Sequence, residues 1–182
     1  SFGDAHTVRI ASESGDSAVQ ADRIFINTGA SPFVPPIPGV KESAHVYTSE
    51  TMMELEELPK KLVIIGGGYI GLEFASYYTN FGSAVTVVQD TADFIPREDL
   101  EIAACVEQSL KERGVVIVKS AKVRGVKDEA GCAALTLETP EGERRLTADA
   151  VLIATGRRPE LSALQLEKAG VKLTERGAIA VD

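Results

Sequence analysis

Short apolar runs bounded by Gly, Pro and Asp recur along the chain, and between them lie two stretches with apolar residues at helical spacing. Residues 7–12 read as a strand, followed by the turn-rich Glu13-Ser14-Gly15-Asp16. Residues 23–28, Arg-Ile-Phe-Ile-Asn-Thr, have the composition of a buried strand. The proline-rich stretch from Pro35 to Gly39 excludes helix and central strand and reads as a stiff connector between domains. Thr48-Ser49-Glu50 is placed to cap a short helix that reaches about Leu58 and ends at Pro59. An apolar strand over 62–65 then runs straight into Gly66-Gly67-Gly68-Tyr69-Ile70-Gly71. The spacing predicts a helix from there to about Phe81, with Ile70, Phe74, Tyr77 or Tyr78, and Phe81 on one face, stopped by Gly82.

A second apolar strand covers 84–89. Residues 98–113 form the next predicted helix, acidic in its first turn and carrying Lys111 and Arg113 in its last, as the helix dipole favours. Gly114 ends it, and 115–118 is a strand. Three further strands, 122–126, 134–137 and 144–147, are separated by turn chemistry at 127–131 and 140–142 and make an antiparallel meander. Residues 150–154 are another buried strand, and the tail from Leu161 to Asp182 holds a short helix and a hairpin turning at Gly177. Strand, helix, strand, helix, strand, meander and returning strand define an α/β fold. The expected architecture is a Rossmann-like, doubly wound parallel sheet with an antiparallel β-meander.

Gly66, Gly68 and Gly71 form the pattern G-x-G-x-x-G. Alone it is weak. Here it follows a strand, opens a helix and lies inside a βαβ unit of about 30 residues, the setting of a dinucleotide site. The first glycine permits a tight turn, the second lets a pyrophosphate approach the backbone, and the third lets helix and strand pack closely. Amides at the helix start, and the helix dipole, favour the phosphates. The end of the second strand reads the ribose, an acidic residue there favouring NAD and nearby arginines favouring NADP. Gln89 stands at that place, 23 residues after Gly66, and Asp90 follows it. Gln89 can bond a hydroxyl without repelling a phosphate, whereas an Asp90 facing the site would repel one. Arg97 is the one cation close by in sequence. With no arginine pair, NADH is favoured over NADPH.

Residues 21–32 and 148–159 echo one another. Both begin Ala-Asp, continue as a buried-type strand and end Thr-Gly-x-x-Pro. The second copy closes the unit that Leu62 opens, and the first closes a unit whose glycine fingerprint is not in this chain. That implies a second nucleotide-binding domain, with this one inserted into it. Residues 1–40 are then the last strands of an incomplete FAD domain and a linker, 41–158 the NAD(P)H domain, and 159–182 a return toward the FAD domain. Residues 1–40 are expected to be less ordered than the middle or folded back as a small β piece.

Composition narrows the function classes. The 182 residues suit one or two domains and are 44% hydrophobic and 25% charged, an ordinary globular balance. The net charge of −8 disfavours nucleic acid and anionic membrane surfaces as partners. No apolar run is long enough for a membrane span, and the first residues lack a signal-peptide pattern, so the expected location is cytoplasmic. Cys105 and Cys132 are too far apart for a redox pair or metal cluster, and His6 and His45 lack metal-ligand spacing.

Four motifs in order, Asn27-Thr28-Gly29-Ala30-Ser31-Pro32, the glycine segment continuing to Leu72-Glu73-Phe74-Ala75, Pro96-Arg97-Glu98-Asp99, and Ala154-Thr155-Gly156-Arg157-Arg158-Pro159, resemble the class I pyridine nucleotide–disulfide oxidoreductases. That family includes lipoamide dehydrogenase, glutathione reductase and mercuric reductase, and the likeness is greatest to the reactive-chlorine-resistance flavoproteins near mercuric reductase. The resemblance implies a homodimer with FAD, NAD(P)H and interface domains, in which hydride passes from NAD(P)H to FAD. It implies that Tyr69 is the gate over the flavin and that Glu73 lies near the nicotinamide and a flavin-side lysine. It makes Val123 an adenosine-side contact and Gly156 a backbone contact, with Gly67, Ile70, Ala154, Thr155 and Arg157 completing the dinucleotide site. The family's FAD fingerprint, C-x-x-x-x-C pair, Gly-Asp flavin motif and interface domain with its His–Glu pair are absent here. The chain alone is therefore expected to bind dinucleotide without turning over. An NADH oxidase, a ferredoxin-reductase-type flavoprotein and a non-catalytic NAD-sensing module stay open as alternatives.

Overall fold

The computed structural model describes residues 1–181. In chain order its strands and helices are β1 (Phe2–Asp4), β2 (Thr7–Ile10), β3 (Ser17–Gln20), β4 (Ala30–Pro32), β5 (Val46–Thr48), β6 (Lys61–Ile65), α1 (Tyr69–Asn80), β7 (Ala84–Val88), α2 (Leu100–Glu112), β8 (Val116–Val118), β9 (Lys122–Glu129), β10 (Cys132–Thr139), β11 (Gly142–Ala148), β12 (Ala150–Ile153) and β13 (Arg157–Pro159). Short 3-10 turns cover Thr51–Glu54 and Leu166–Ala169. The chain divides into two compact units, one from Pro32 to Gly156 and one made of Ser1–Ser31 with the residues from Arg157 onward.

The larger unit is built on a parallel five-stranded sheet in the order β5-β12-β6-β7-β8. Its central strands are continuous apolar runs because both faces are covered. Leu62, Ile64, Val85, Val87 and Leu152 point to the face that α1 and α2 cover, through Ala75, Ala103 and Leu110. Val63, Ile65, Val88, Val151 and Ile153 point the other way, into the antiparallel sheet β11-β10-β9 and its Ala133, Leu135 and Leu137. This is a Rossmann-like α/β unit with an antiparallel meander as its second cover. The strand order reverses between β6 and β12: the chain moves outward from β6 to β7 and β8, then returns through the meander to the opposite side of β6. Ligands of open α/β sheets bind outside the carboxyl ends of strands at such a switch point.

Local expectations meet the structure unevenly. The apolar face expected of α1 is buried only in part: Phe74 and Tyr78 pack on the core, Tyr77 and Phe81 are exposed, and the fully buried residues are Gly71 and Ala75. Small side chains let the helix axis lie close to β6, while Leu72, Phe74 and Tyr78 pack at the flanks. The helix expected from residue 48 to about Leu58 is only the short 3-10 turn Thr51–Glu54, which follows strand β5. Thr48 Oγ1 accepts from the amides of Glu50 and Thr51, so the local signal was a hydroxyl turn, not a helix start. The proline-rich stretch, read as a stiff connector, also packs on the core. Val34 and Ile37 pack against the core beneath the meander, Val40 is buried, and the Val126 amide donates to the Pro38 carbonyl at 2.9 Å.

In the smaller unit β1, β2 and β3 form an antiparallel sheet, and β4 pairs with β13. The Phe2 amide donates to Leu164 O at 2.7 Å. The expected buried strand over 23–28 is corrected here: those residues belong to no strand, and Phe25 is 90% exposed. Its echo, β12, is buried on both faces between β5 and β6. An apolar run becomes a strand only where neighbours accept its backbone hydrogen bonds, and among the described residues no strand pairs with 23–28.

Candidate functional site

β6 delivers the glycine segment to the switch point. Gly66 has φ +108°, and a Cβ there would lie 2.4 Å from the carbonyl oxygen of Ala154 on the neighbouring strand end. A Cβ on Gly71 would meet Gly66 O at 2.1 Å. Both glycines are therefore demanded by the chain's own packing. Gly68 differs. It is the N-cap of α1, its φ is −81°, and a Cβ there meets no atom of the described residues within 4 Å. Neither backbone conformation nor packing requires glycine at that position. The first bond of α1's ladder runs from the Leu72 amide to Gly68 O at 3.0 Å, so the amides of Tyr69, Ile70 and Gly71 precede the helix's own ladder. That is a helix N-terminus suited to phosphate.

Gln89 turns inward. It is 8% exposed, accepts from the Gly67 amide at 2.8 Å and donates from Nε2 to Thr91 Oγ1 at 2.7 Å. Asp90 beside it is exposed. The Ala121 amide donates to Gln89 O at 2.9 Å, which ties the start of β9, and with it the half-buried Val123, to the end of β7.

The segment between β7 and α2 borders the glycines. Phe94 is buried, with its ring edge 3.2 Å from where a Cβ on Gly67 would stand. Farther along, Glu98 accepts a hydrogen bond from the Tyr69 hydroxyl. That bond, with a smaller contribution from burial and the carboxylate's charge, raises the Tyr69 hydroxyl above its usual 10.0. Tyr69 is 56% exposed, and Glu73, one helical turn on, is also exposed.

On the other side of the switch point, Ala154 donates its amide to Ile65 O at 2.8 Å. Thr155 Oγ1 donates to Phe33 O at 2.9 Å, and the Phe33 amide to Gly156 O at 2.9 Å. Arg157, in the smaller unit, bonds the carbonyl of Ala30. The structure thus gathers Gly66 to Gly71, Gln89 and Ala154 around one strand crossover. Sequence reasoning missed Thr91 and Phe94. Thr91 follows Gln89 by two residues, but nothing in its spacing marks it as a partner of the glycine loop.

A Rossmann crossover with an open, glycine-lined helix N-terminus defines a dinucleotide-binding unit. The chain belongs to the pyridine nucleotide-disulphide oxidoreductase family, whose profile matches residues 2–182. It is 42% identical over 177 residues to the probable pyridine nucleotide-disulfide oxidoreductase RclA of Escherichia coli, covering 97% of this chain and 39% of that protein. It is 37% identical to a mercuric reductase of Streptomyces lividans, covering 100% of this chain and 38% of that protein. The solved structure of the HOCl-induced flavoprotein disulfide reductase RclA from E. coli superposes with a TM-score of 0.88 at 40% identity, covering all of this chain and 40% of that one. LpdA of Mycobacterium tuberculosis superposes at 0.83 with 31% identity, covering 97% and 38%. The chain spans about two fifths of the length of the relatives it matches and corresponds to the NAD(P)H-binding part of this FAD-dependent family.

Proposed function

We propose that the chain holds NAD(P)H at the β6–α1 glycine turn and, in the whole protein, presents it to FAD. The observation that carries this is Gly68, a glycine that the chain's own conformation and packing do not need. In this reading the amides at the start of α1 hold the pyrophosphate and Val123 lies on the adenosine side. Ala154, Thr155 and Gly156 border the far end of the dinucleotide, with Tyr69 and Glu73 on the nicotinamide side. When bound, NAD(P)H supplies a hydride and FAD the acceptor; this chain's residues bind, orient and shield. NADH is preferred, because Asp90 is exposed beside the end of β7 and would repel a 2′-phosphate.

Residues 41–158 serve as the NAD(P)H domain, and 1–40 and 159–182 contribute to the FAD domain. The chain spans about two fifths of its relatives' length, which leaves room for further FAD and interface domains in the whole protein, and in this reading the whole protein is a homodimer. Cys105 and Cys132 are both free, which suits a reducing cytoplasm. Among the described residues no helix is long and apolar enough to cross a membrane.

Calorimetric titration with NADH and NADPH tests the reading. Wild type binds both, NADH more tightly. Gly68→Ala loses affinity for both while its melting temperature stays within a degree or two, as a substitution into open space should. Unchanged affinity in Gly68→Ala would sink the assignment.

A further inference from the structure

We propose that Gln89, Thr91 and Asp93 form a strut that fixes the amide of Gly67, and that Thr91 is thereby a positioning residue for the dinucleotide cradle. The inference rests on the dinucleotide reading above and assigns nucleotide preference to Asp90, not to Gln89.

The three contacts are mutually consistent. The Gly67 amide can only donate, so the oxygen of the Gln89 side chain must face it, at 2.8 Å. Its nitrogen then faces Thr91 Oγ1 at 2.7 Å. The Thr91 hydroxyl has one hydrogen and gives it to the Asp93 carbonyl at 2.8 Å. A flipped amide would break the first bond, so one orientation satisfies all three groups. The backbone beneath the strut is braced as well: Ser120 donates to Thr91 O at 3.0 Å and Ala121 to Gln89 O at 2.9 Å. Phe94 packs below Gly67. With Gln89 almost buried and both ends of its amide engaged, its position supports the glycine loop from behind. Asp90, next in sequence and exposed, is the side chain available to the ribose side.

A glutamate at position 89 could still accept from the Gly67 amide. Its second oxygen would face the Thr91 oxygen, which would have to turn its hydrogen away from Asp93. The strut would lose a link and gain a buried charge.

The experiment compares wild type with Thr91→Val, Thr91→Ser, Gln89→Glu and Asp90→Asn. Binding of NADH, NADPH and ADP is measured by calorimetry, and the exchange rate of the Gly67 amide by NMR. Thr91→Val should weaken all three ligands by one common factor of about three to ten, the size of one hydrogen bond, and speed Gly67 exchange. Thr91→Ser, which keeps the hydroxyl, should restore both. Gln89→Glu should weaken the three ligands together without raising the preference for NADH. Asp90→Asn should shift the NADH-to-NADPH ratio toward NADPH and leave Gly67 exchange unchanged. A ratio that follows Gln89→Glu, with ADP unaffected, would overturn the proposal and make Gln89 the ribose reader. Thr91→Val with unchanged exchange and affinities would overturn the strut. Binding of no ligand by wild type would fail the dinucleotide reading and the positioning role with it, while the exchange comparison would still decide whether the strut exists.

Discussion

Gly68 and Gly71 stand three residues apart, and different forces hold each to glycine. A Cβ on Gly71 would sit 2.1 Å from a backbone oxygen and 3.3 Å from Ile64, neither of which can move without separating α1 from β6. Gly71→Ala is therefore expected to destabilise the fold by roughly 1–3 kcal/mol, measured by denaturant unfolding. Paired with the neutral Gly68→Ala, it separates packing from binding at neighbouring positions. Tyr69 offers a second measurement, because the chain has no tryptophan and only four tyrosines. The Glu98 carboxylate holds its hydroxyl protonated above the usual 10.0. Glu98→Gln should bring its titration down, read as tyrosinate absorbance, and Tyr69→Phe should remove that component. The glycines were legible from spacing, and Tyr69 from the family resemblance. The Gln89 side chain was not, since its direction is decided by Gly67, Thr91 and Asp93, which only the fold brings together.

Among the elements, α2 shows how local signals set an element and tertiary contacts tune it. Asp99 caps it by accepting from the Glu101 amide at 2.9 Å, so its start is written in the sequence. Glu107 also meets residues outside its own helix. Lys111 reaches it from one turn on at 2.6 Å, and Lys119 from beyond β8 at 3.1 Å. Partial burial pushes the Glu107 carboxyl up, but the two lysines outweigh it and hold the group below the ordinary 4.5. A carboxylate depressed in the folded state contributes stability above its unfolded value and loses it as pH falls through the folded value. Glu107→Gln should therefore cost less than about 1 kcal/mol at neutral pH and flatten the loss of stability on acidification below about 4.5. Unfolding curves across that range check it; an acid limb as steep as wild type would contradict the pairing. Burial along α1 is decided in the same way. Helical spacing shows which residues share a face, but the tightness of the α1–β6 approach decides that Gly71 and Ala75 are fully buried while Tyr77 and Phe81 stay exposed.

At the scale of the whole molecule, residues 23–28 and β12 carry a similar apolar run and meet opposite fates. β12 is sealed between two parallel strands, while Phe25 stands 90% exposed with Ile24 and Ile26 half-buried around it. Such a segment is a site for association. Phe25→Ser should reduce concentration-dependent association in analytical ultracentrifugation and leave the melting temperature unchanged, because the side chain loses no packing. A fall in melting temperature would show that Phe25 is packed in solution.

The sequence by itself determined the strand–helix order from β6 to β12, the glycine turn, the meander and the family, because these follow from periodicity, turn chemistry and a spaced motif. Only the tertiary structure decided that the proline-rich stretch packs on the meander, that Gln89 turns inward and that 23–28 is no strand. Each of those depends on which backbone groups and side chains come within hydrogen-bonding or packing distance. That juxtaposition belongs to the folded chain and to no local window of it.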